Sequence, residues 1–258
     1  MIENGIGRSQ YTIFKNENFA LILKTQLAIV KQIFKKNYTW LENTFYYIDA
    51  NAGEGSYAME DGSVCLGSPI VALAELHKSD LRHEAYLIEI SKDNCKKLRD
   101  RLSQEEFYGD CVNVHHGDQY EILPGLLNAK DGKRKRLGML YTDPSGTPPD
   151  FNLLTRISHN NRFEQIDFLI YCSATNIKRI IGAGNDCIRL KEAIETINKK
   201  YWLIREPMGR HQWTFILGTN WKGFPQFEKI GLYQVTTEKG QEILKRLNYT
   251  NKELGGAA

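Results

Sequence analysis

Four acidic residues in this sequence stand where a short apolar run gives way to small or turn-forming residues. Asp49 closes Tyr46-Tyr47-Ile48 and opens the loop Ala50-Asn51-Ala52-Gly53-Glu54-Gly55. Glu89 closes Tyr86-Leu87-Ile88, and Asp118 follows the run CVNVHHG. Asp143 closes LGMLYT, just ahead of Pro144-Ser145-Gly146. Glycine takes positive φ and lets a ligand come close to the backbone. In open parallel sheets, ligands bind beyond the carboxyl ends of the strands. The pattern therefore points to a small ligand held between a glycine loop and a row of carboxylates.

The details narrow the ligand. A dinucleotide loop reads G-x-G-x-x-G, with its acid about 20 residues further on. Here Tyr57-Ala58 follow Gly55, the third glycine is missing, and no G-K-[ST] phosphate loop occurs. A carboxylate at Asp49 would repel a pyrophosphate. It suits a ligand that carries positive charge and no phosphate. S-adenosylmethionine (SAM), with a sulfonium, an ammonium and a ribose, has that chemistry. Glu89 can accept from both ribose hydroxyls, and Asp118 from the exocyclic amine of the adenine. Any one of these acids alone reads equally as a surface charge or a helix cap. Three at the ends of successive strands read as a site.

Asp143 and Pro144 suggest a reaction. The exocyclic amine of adenine is a poor nucleophile, because its lone pair is delocalised into the ring. The Asp143 carboxylate and the Pro144 carbonyl could accept both of its N–H groups and aim the lone pair at a methyl group. The same carboxylate would stabilise the positive charge that develops on nitrogen, and most of the gain would be positioning. Ser145 and Gly146 complete this tract on the substrate side. Phe151, Tyr171 and Trp213 are candidates for stacking on a base, each of them also a natural core residue. Lys178, Arg179, Arg205 and Arg210 could hold a backbone phosphate. A cysteine nucleophile of the cytosine C5 type would follow the proline. Ser145 stands there instead, and Cys172 ends the next strand-like run.

Elements that could position these residues follow from periodicity. Residues 18–36 read as an amphipathic helix ending in a basic turn. Strands are expected at 44–50, 85–90, 111–115, 137–142 and 166–172, short and apolar as buried parallel strands are. Helical patterns lie between most of them. Ser68-Pro69 reads as an N-cap with proline at the first helical position, and Ser91 as a cap for KDNCKKLRDRL. The runs 201–207 and 213–220, five residues apart, read as a hairpin. A strand at 230–235 and a helix from Thr237 to about Leu247 follow. The run Lys133-Arg134-Lys135-Arg136 reads as a solvated loop or, less readily, a phosphate contact.

Composition sets the bounds. At 258 residues, with 41% hydrophobic and 25% charged residues, the chain is long enough to bury a core without staples. A formal net charge of +3 permits a nucleic-acid partner without requiring one. Five cysteines with no C-x-x-C pair argue against a disulfide framework and a zinc site. The N-terminal MIENGIGRSQ lacks the apolar core of a signal peptide, and no run of roughly 18 apolar residues suggests a membrane span. A cytoplasmic protein with no membrane partner is expected. The patterns at Asn37-Tyr38-Thr39 and Asn248-Tyr249-Thr250 read as chance rather than glycosylation sites.

The stretches YIDANAGEGSY, GSPIVALAEL, YLIEIS, HGD and YTDPSG resemble the class I SAM-dependent methyltransferases. More narrowly, they are similar to the three-Cys-motif partner proteins and to the large-ribosomal-RNA adenine methyltransferases, whose N-F-x-D-x-L-K-H is matched in part by residues 18–25, with Thr25 where that family has histidine. The resemblance spans roughly residues 18–220. It implies that Asp49, Ala52 and Gly53, with Gly55 in the same loop, lie along the methionine part of SAM. It also implies that Glu89 binds the ribose and Asp118 the adenine, that Lys24 lines the cofactor site and that Asp143 is catalytic. The implied fold is a doubly wound, mostly parallel, seven-stranded α/β sheet of the Rossmann-like methyltransferase type, ending in an antiparallel hairpin. Its expected organisation is an N-terminal helical segment (1–40), a methyltransferase domain (41–220) and a strand-and-helix extension (221–258). The expected activity is methylation of an exocyclic base amine, adenine N6 in DNA. RNA adenine methylation and a catalytically inactive SAM-binding subunit are the alternatives. A protein partner is compatible with the resemblance. Amino-methyltransferases usually carry D-P-P-aromatic where this chain has Ser145-Gly146, so base stacking would come from elsewhere.

Overall fold

Apolar side chains three and four residues apart make α1, Gln10–Phe34, the longest element. Phe19, Ile22, Leu23, Leu27, Val30 and Phe34 are all buried along one stripe. The computed structural model describes residues 10–59, 62–127, 134–173, 190–207, 213–222 and 225–248. The helix starts eight residues before the expected position. Its first turns carry asparagines, which are poor helix formers, but one is held by a tertiary partner and the other by the preceding turn. Asn16 Nδ2 donates to the Leu66 carbonyl, and Asn18 Nδ2 to the Phe14 carbonyl. Asn37, at φ +47°, follows the end of the helix.

The main sheet has eight strands, in the order β10-β8-β9-β7-β6-β1-β4-β5. This is the expected mixed α/β architecture, and the strand expected at 230–235, observed at Leu232–Gln234, joins the expected seven as an eighth. The chain divides into two compact units, one through Tyr141 and the other from Thr142.

In the first unit, β1 (Leu41–Asp49), β4 (His83–Glu89), β5 (Val112–His116) and β6 (Lys135–Thr142) are parallel. Phe45, Tyr46, Tyr47 and Ile48 are all fully buried, so β1 is covered on both faces. A small hairpin, β2 (Ser56–Ala58) with β3 (Val64–Leu66), leaves the glycine loop. The helices are α2 (Ser68–Ser79), α3 (Lys92–Leu102) and the single turn α4 (Gln119–Ile122). Helix α1 packs on this sheet. The Phe19 ring lies 4.5 Å from that of Tyr141, and Gln26 donates to the Gly138 carbonyl at 3.1 Å.

Two local expectations are corrected. Gly67, not Ser68, occupies the N-cap of α2, and the Ser68 hydroxyl is engaged elsewhere. Arg136 is not in a solvated loop. It lies within β6, 3% exposed, its Nε 3.0 Å from Glu42 and its guanidinium 5.5 Å above the Tyr46 ring. Ser91 does cap α3, accepting from Asn94 N at 3.3 Å.

The second unit holds α5 (Phe151–Ser158), β7 (Ile166–Ser173), α6 (Leu190–Glu195), β8 (Tyr201–Arg205), β9 (Trp213–Thr219), α7 (Pro225–Lys229), β10 (Leu232–Gln234) and α8 (Glu238–Asn248). Its strands are antiparallel, with β9 between β7 and β8. The expected hairpin is therefore present, and its second strand inserts beside β7. Buried Lys199 anchors this unit. Its ammonium donates to the Phe163 and Glu164 carbonyls and sits 4.4 Å from the Phe168 ring centroid. Burial pulls it down to about 8, against the opposing charges of Asp167 and Glu164.

Candidate functional site

The parallel strands of the first unit place their carboxylates at one edge. The register sets Asp49 beside Leu87 and Tyr141, and Glu89 beside His116. Asp49 has no exposed surface. Its Oδ2 accepts from the Ser68 hydroxyl at 2.8 Å and the Tyr47 hydroxyl at 3.1 Å, and its Oδ1 from Asn51 N at 3.1 Å. Three donors offset the cost of burying this charge. They also define its role. The carboxylate ties strand, loop and the start of α2 together from beneath, instead of lying open to a ligand.

Glu89 is placed differently. It is 8% exposed and spans two loops. Oε2 accepts from Gly53 N at 2.9 Å; Oε1 accepts from Ser91 N at 2.8 Å and more weakly from Asn94 Nδ2 at 3.4 Å. A carboxylate has about four acceptor sites. One is spare, and the long Asn94 bond is weak enough to yield to a better donor.

The two loop glycines serve different ends. Gly53 has φ +67° and Gly55 φ +84°, both in the region that favours glycine. A Cβ on Gly55 would strike Leu98 Cδ1 at 2.8 Å, with Ile70 at 3.6 Å, so this glycine lets the loop pack on α2 and α3. A Cβ on Gly53 would meet nothing within 4 Å. The backbone at Gly53 is thus open on the side where a side chain would stand. Ala52 is buried, and its N–H donates to the Ile88 carbonyl at 2.9 Å. Glu54 pins the loop to α3 through Lys97 at 2.7 Å.

Asp118 is the half-buried N-cap of α4, and its Oδ1 accepts from Tyr120 N at 2.9 Å. Gly117 N donates to the Glu89 carbonyl at 3.0 Å, which brings the third strand's loop alongside the second's. Lys24 falls outside this group. Its side chain is half exposed, and its ammonium pairs at 3.5 Å with Glu75 on α2.

In the second unit, Asp143 and Pro144 are half-buried, and Ser145 and Gly146 are exposed in a turn with Gly146 at φ +73°. Asp150 caps α5, accepting from Leu153 N at 2.8 Å, and half-exposed Phe151 begins that helix. The Cys172 thiol is fully buried and pushed well up from its usual value, by burial first and by the negative charge of Asp143 second. It is therefore no thiolate nucleophile. Trp213 is 3% exposed and packs edge-on against Phe215, with Tyr171 6.0 Å away. It is core, not a stacking platform, because β9 is covered throughout. Tyr171 belongs to the same cluster but stays half-buried. Arg205 is half-buried and donates to the Ile230 carbonyl, a structural role rather than a phosphate-binding one. Lys178, Arg179 and Arg210 lie outside the described residues.

Sequence reasoning missed Tyr47, Ser68 and Asn94. Tyr47 could have been found, because residues two apart on a strand share a face. No helix among the described residues is long and apolar enough to cross a membrane.

No protein-family model matches the chain, and no curated protein matches it. Among solved structures, a Legionella pneumophila protein, LPL1258, of the family labelled DUF519, is 15% identical. That likeness covers 82% of this chain and 89% of the other, with a TM-score of 0.51. A human methyltransferase 10 domain-containing protein is 14% identical over 70% of this chain and 74% of its own, with a TM-score of 0.46. The Legionella likeness is one of fold.

Proposed function

We propose that this chain transfers a methyl group from SAM to the exocyclic amine of a nucleic-acid base, adenine N6 in DNA. The observation that carries the reading is the join between Glu89 and Gly53. A strand-end carboxylate with a spare acceptor site is bonded to the backbone of a glycine that faces open space. That acceptor fits the two hydroxyl donors of a ribose diol beside an uncharged stretch of backbone, and its negative charge would repel a phosphate.

Glu89 would hold the ribose hydroxyls, the backbone around Gly53 the methionine part, and Asp118 the adenine amine. Asp49 acts as a positioning residue through Asn51 and Ser68. SAM, when bound, supplies an electrophilic methyl on a positively charged sulfur. Asp143, with the Pro144 carbonyl, would accept the N–H groups of the target amine and stabilise its growing positive charge. The buried, protonated Cys172 argues for this amine route over a cysteine adduct.

The test is tritium transfer from labelled SAM to double-stranded DNA, single-stranded DNA and total RNA in parallel, with Asp143→Ala as control. Label in DNA that is lost in the variant and recovered as N6-methyladenine supports the reading. Label confined to RNA moves the substrate to RNA. No label anywhere, with SAM still bound by calorimetry, overturns the activity and leaves a SAM-binding subunit.

A further inference from the structure

We propose that the turn between α1 and β1, together with the start of β6, is a second nucleic-acid contact, a stacking platform for a single strand. It rests on the nucleic-acid part of the function proposed above, but it concerns binding and not methyl transfer. The turn places two aromatic rings in water. Tyr38 is 39% exposed and Trp40 44% exposed, their ring centroids 5.5 Å apart and their planes 31° from parallel. Tyr46, Tyr47 and Tyr141 of the same unit are fully buried, and Tyr38 and Trp40 are exposed as a tilted pair. Leaving two together at the surface forgoes burial that the core could have used.

Cations surround the rings. Lys35 and Lys36 are exposed at the end of α1. The Trp40 carbonyl accepts from Lys135 N at 2.8 Å, which brings Arg134 and Lys135 beside the aromatic turn. A cavity of about 220 Å³ opens here, with Asn37, Tyr38, Asn43 and Arg134 among its walls. Among the described residues, none of Lys35, Lys36 and Arg134 is in an ion pair, and the nearby Glu42 is occupied by Arg136 Nε at 3.0 Å and the Tyr46 hydroxyl at 2.8 Å. Among the described residues, Lys35, Lys36 and Arg134 therefore leave positive charge at this turn. Cations that follow a phosphate chain, flat rings that stack bases and amides that meet base edges are the combination that single-strand binders use. The sequence run Lys133–Arg136 thus divides: Arg136 serves the core and Arg134 the surface.

The platform lies at the opposite end of β1 from the glycine loop. β1 has nine residues, so its ends are about eight steps and about 26 Å apart at roughly 3.3 Å per residue. One strand held at both places would run several nucleotides beyond the target base.

Fluorescence anisotropy without SAM tests the proposal, using labelled oligo(rU), oligo(dT) and a DNA duplex of about 16 nucleotides. Single strands are expected to bind more tightly than duplex. Trp40→Ala should weaken single-strand binding about tenfold or more, with Trp40→Phe recovering most of it. Lys35→Gln with Lys36→Gln should lower the slope of log affinity against log salt by about 0.7 for each phosphate left without its cation. Tighter binding of either single strand supports the proposal and names the nucleic acid. A normally melting Trp40→Ala protein with unchanged affinity overturns it. So does equal binding of duplex and heparin that ignores Trp40. Loss of methyl transfer with this binding intact would count against the proposed activity alone.

Discussion

Gly53→Ala and Gly55→Ala should separate ligand contact from loop packing. Both residues have positive φ, so an alanine at either costs about 1–2 kcal/mol of backbone strain. At Gly53 the new methyl enters open space, and the strain is the whole cost. For a chain of this size that lowers Tm by about 2–8 °C. At Gly55 the methyl meets Leu98 Cδ1 at 2.8 Å, and Leu98 and Ile70 are themselves buried in the core. Overpacking adds about 1–3 kcal/mol, so Gly55→Ala should be clearly the less stable protein. Affinity should not follow stability. Gly53→Ala keeps its N–H to Glu89 but fills the space a ligand would occupy, and SAM binding should fall at least about tenfold, or 1.4 kcal/mol. Gly62→Ala is the control, with φ +80° and open space but a place in the β2–β3 turn, away from the loop. It should match Gly53→Ala in stability and the parent in affinity. Differential scanning fluorimetry and titration calorimetry give both quantities. If Gly53→Ala binds SAM as the parent does, or if Gly55→Ala melts no lower than Gly53→Ala, the division of labour between the two glycines is wrong.

Glu89→Gln should lose SAM binding and about 1.5–3 kcal/mol of stability, because its amide must turn a donor toward either Gly53 N–H or Ser91 N–H; calorimetry with urea denaturation checks both, and intact affinity would reduce Glu89 to a tie between loops. Cys172→Ala should keep methyl transfer in the tritium assay, since the buried thiol stays protonated; abolished transfer would reopen a cysteine route. Lys199 should make stability rise with pH above about 8. Its folded value lies below its unfolded one, so between about 8 and 10.4 the unfolded chain holds the extra proton and the folded state gains as pH rises. Denaturation from pH 7 to 10 should show that rise in the parent and not in Lys199→Met; equal slopes would place the titration elsewhere.

Much of this architecture was legible because buried parallel strands read as unbroken apolar runs with a polar residue at the end. Asp49, Glu89 and Asp143 stand at or just beyond such ends. The Ser91 cap was legible for a similar local reason, since a side-chain oxygen beside the next amides needs no tertiary partner. Tertiary contacts hid the rest. The first turns of α1 are held by a carbonyl of β3, fifty residues away. Arg136 reads as part of a basic loop until Glu42 and the Tyr46 ring are placed beside it. Ser68 has the sequence of an N-cap, yet its hydroxyl turns to the buried carboxylate of Asp49 and leaves the cap to Gly67.

That exchange explains why two acids with the same address carry different tasks. Both end a central parallel strand, and both bond to the glycine loop. Asp49 is followed by a loop and a helix whose donors, Asn51 N and Ser68 Oγ, close over it, while Tyr47 covers it from its own strand. No acceptor surface remains, so its charge can act on a ligand only by fixing the loop. Glu89 has a longer side chain, and its donors come from two separate loops. Those donors hold the carboxylate in place while one acceptor site and one weak bond stay available. The sequence shows two acids at two strand ends; the donors around each decide that one is closed over by its loop and that the other keeps the acceptor site which the proposed function gives to SAM.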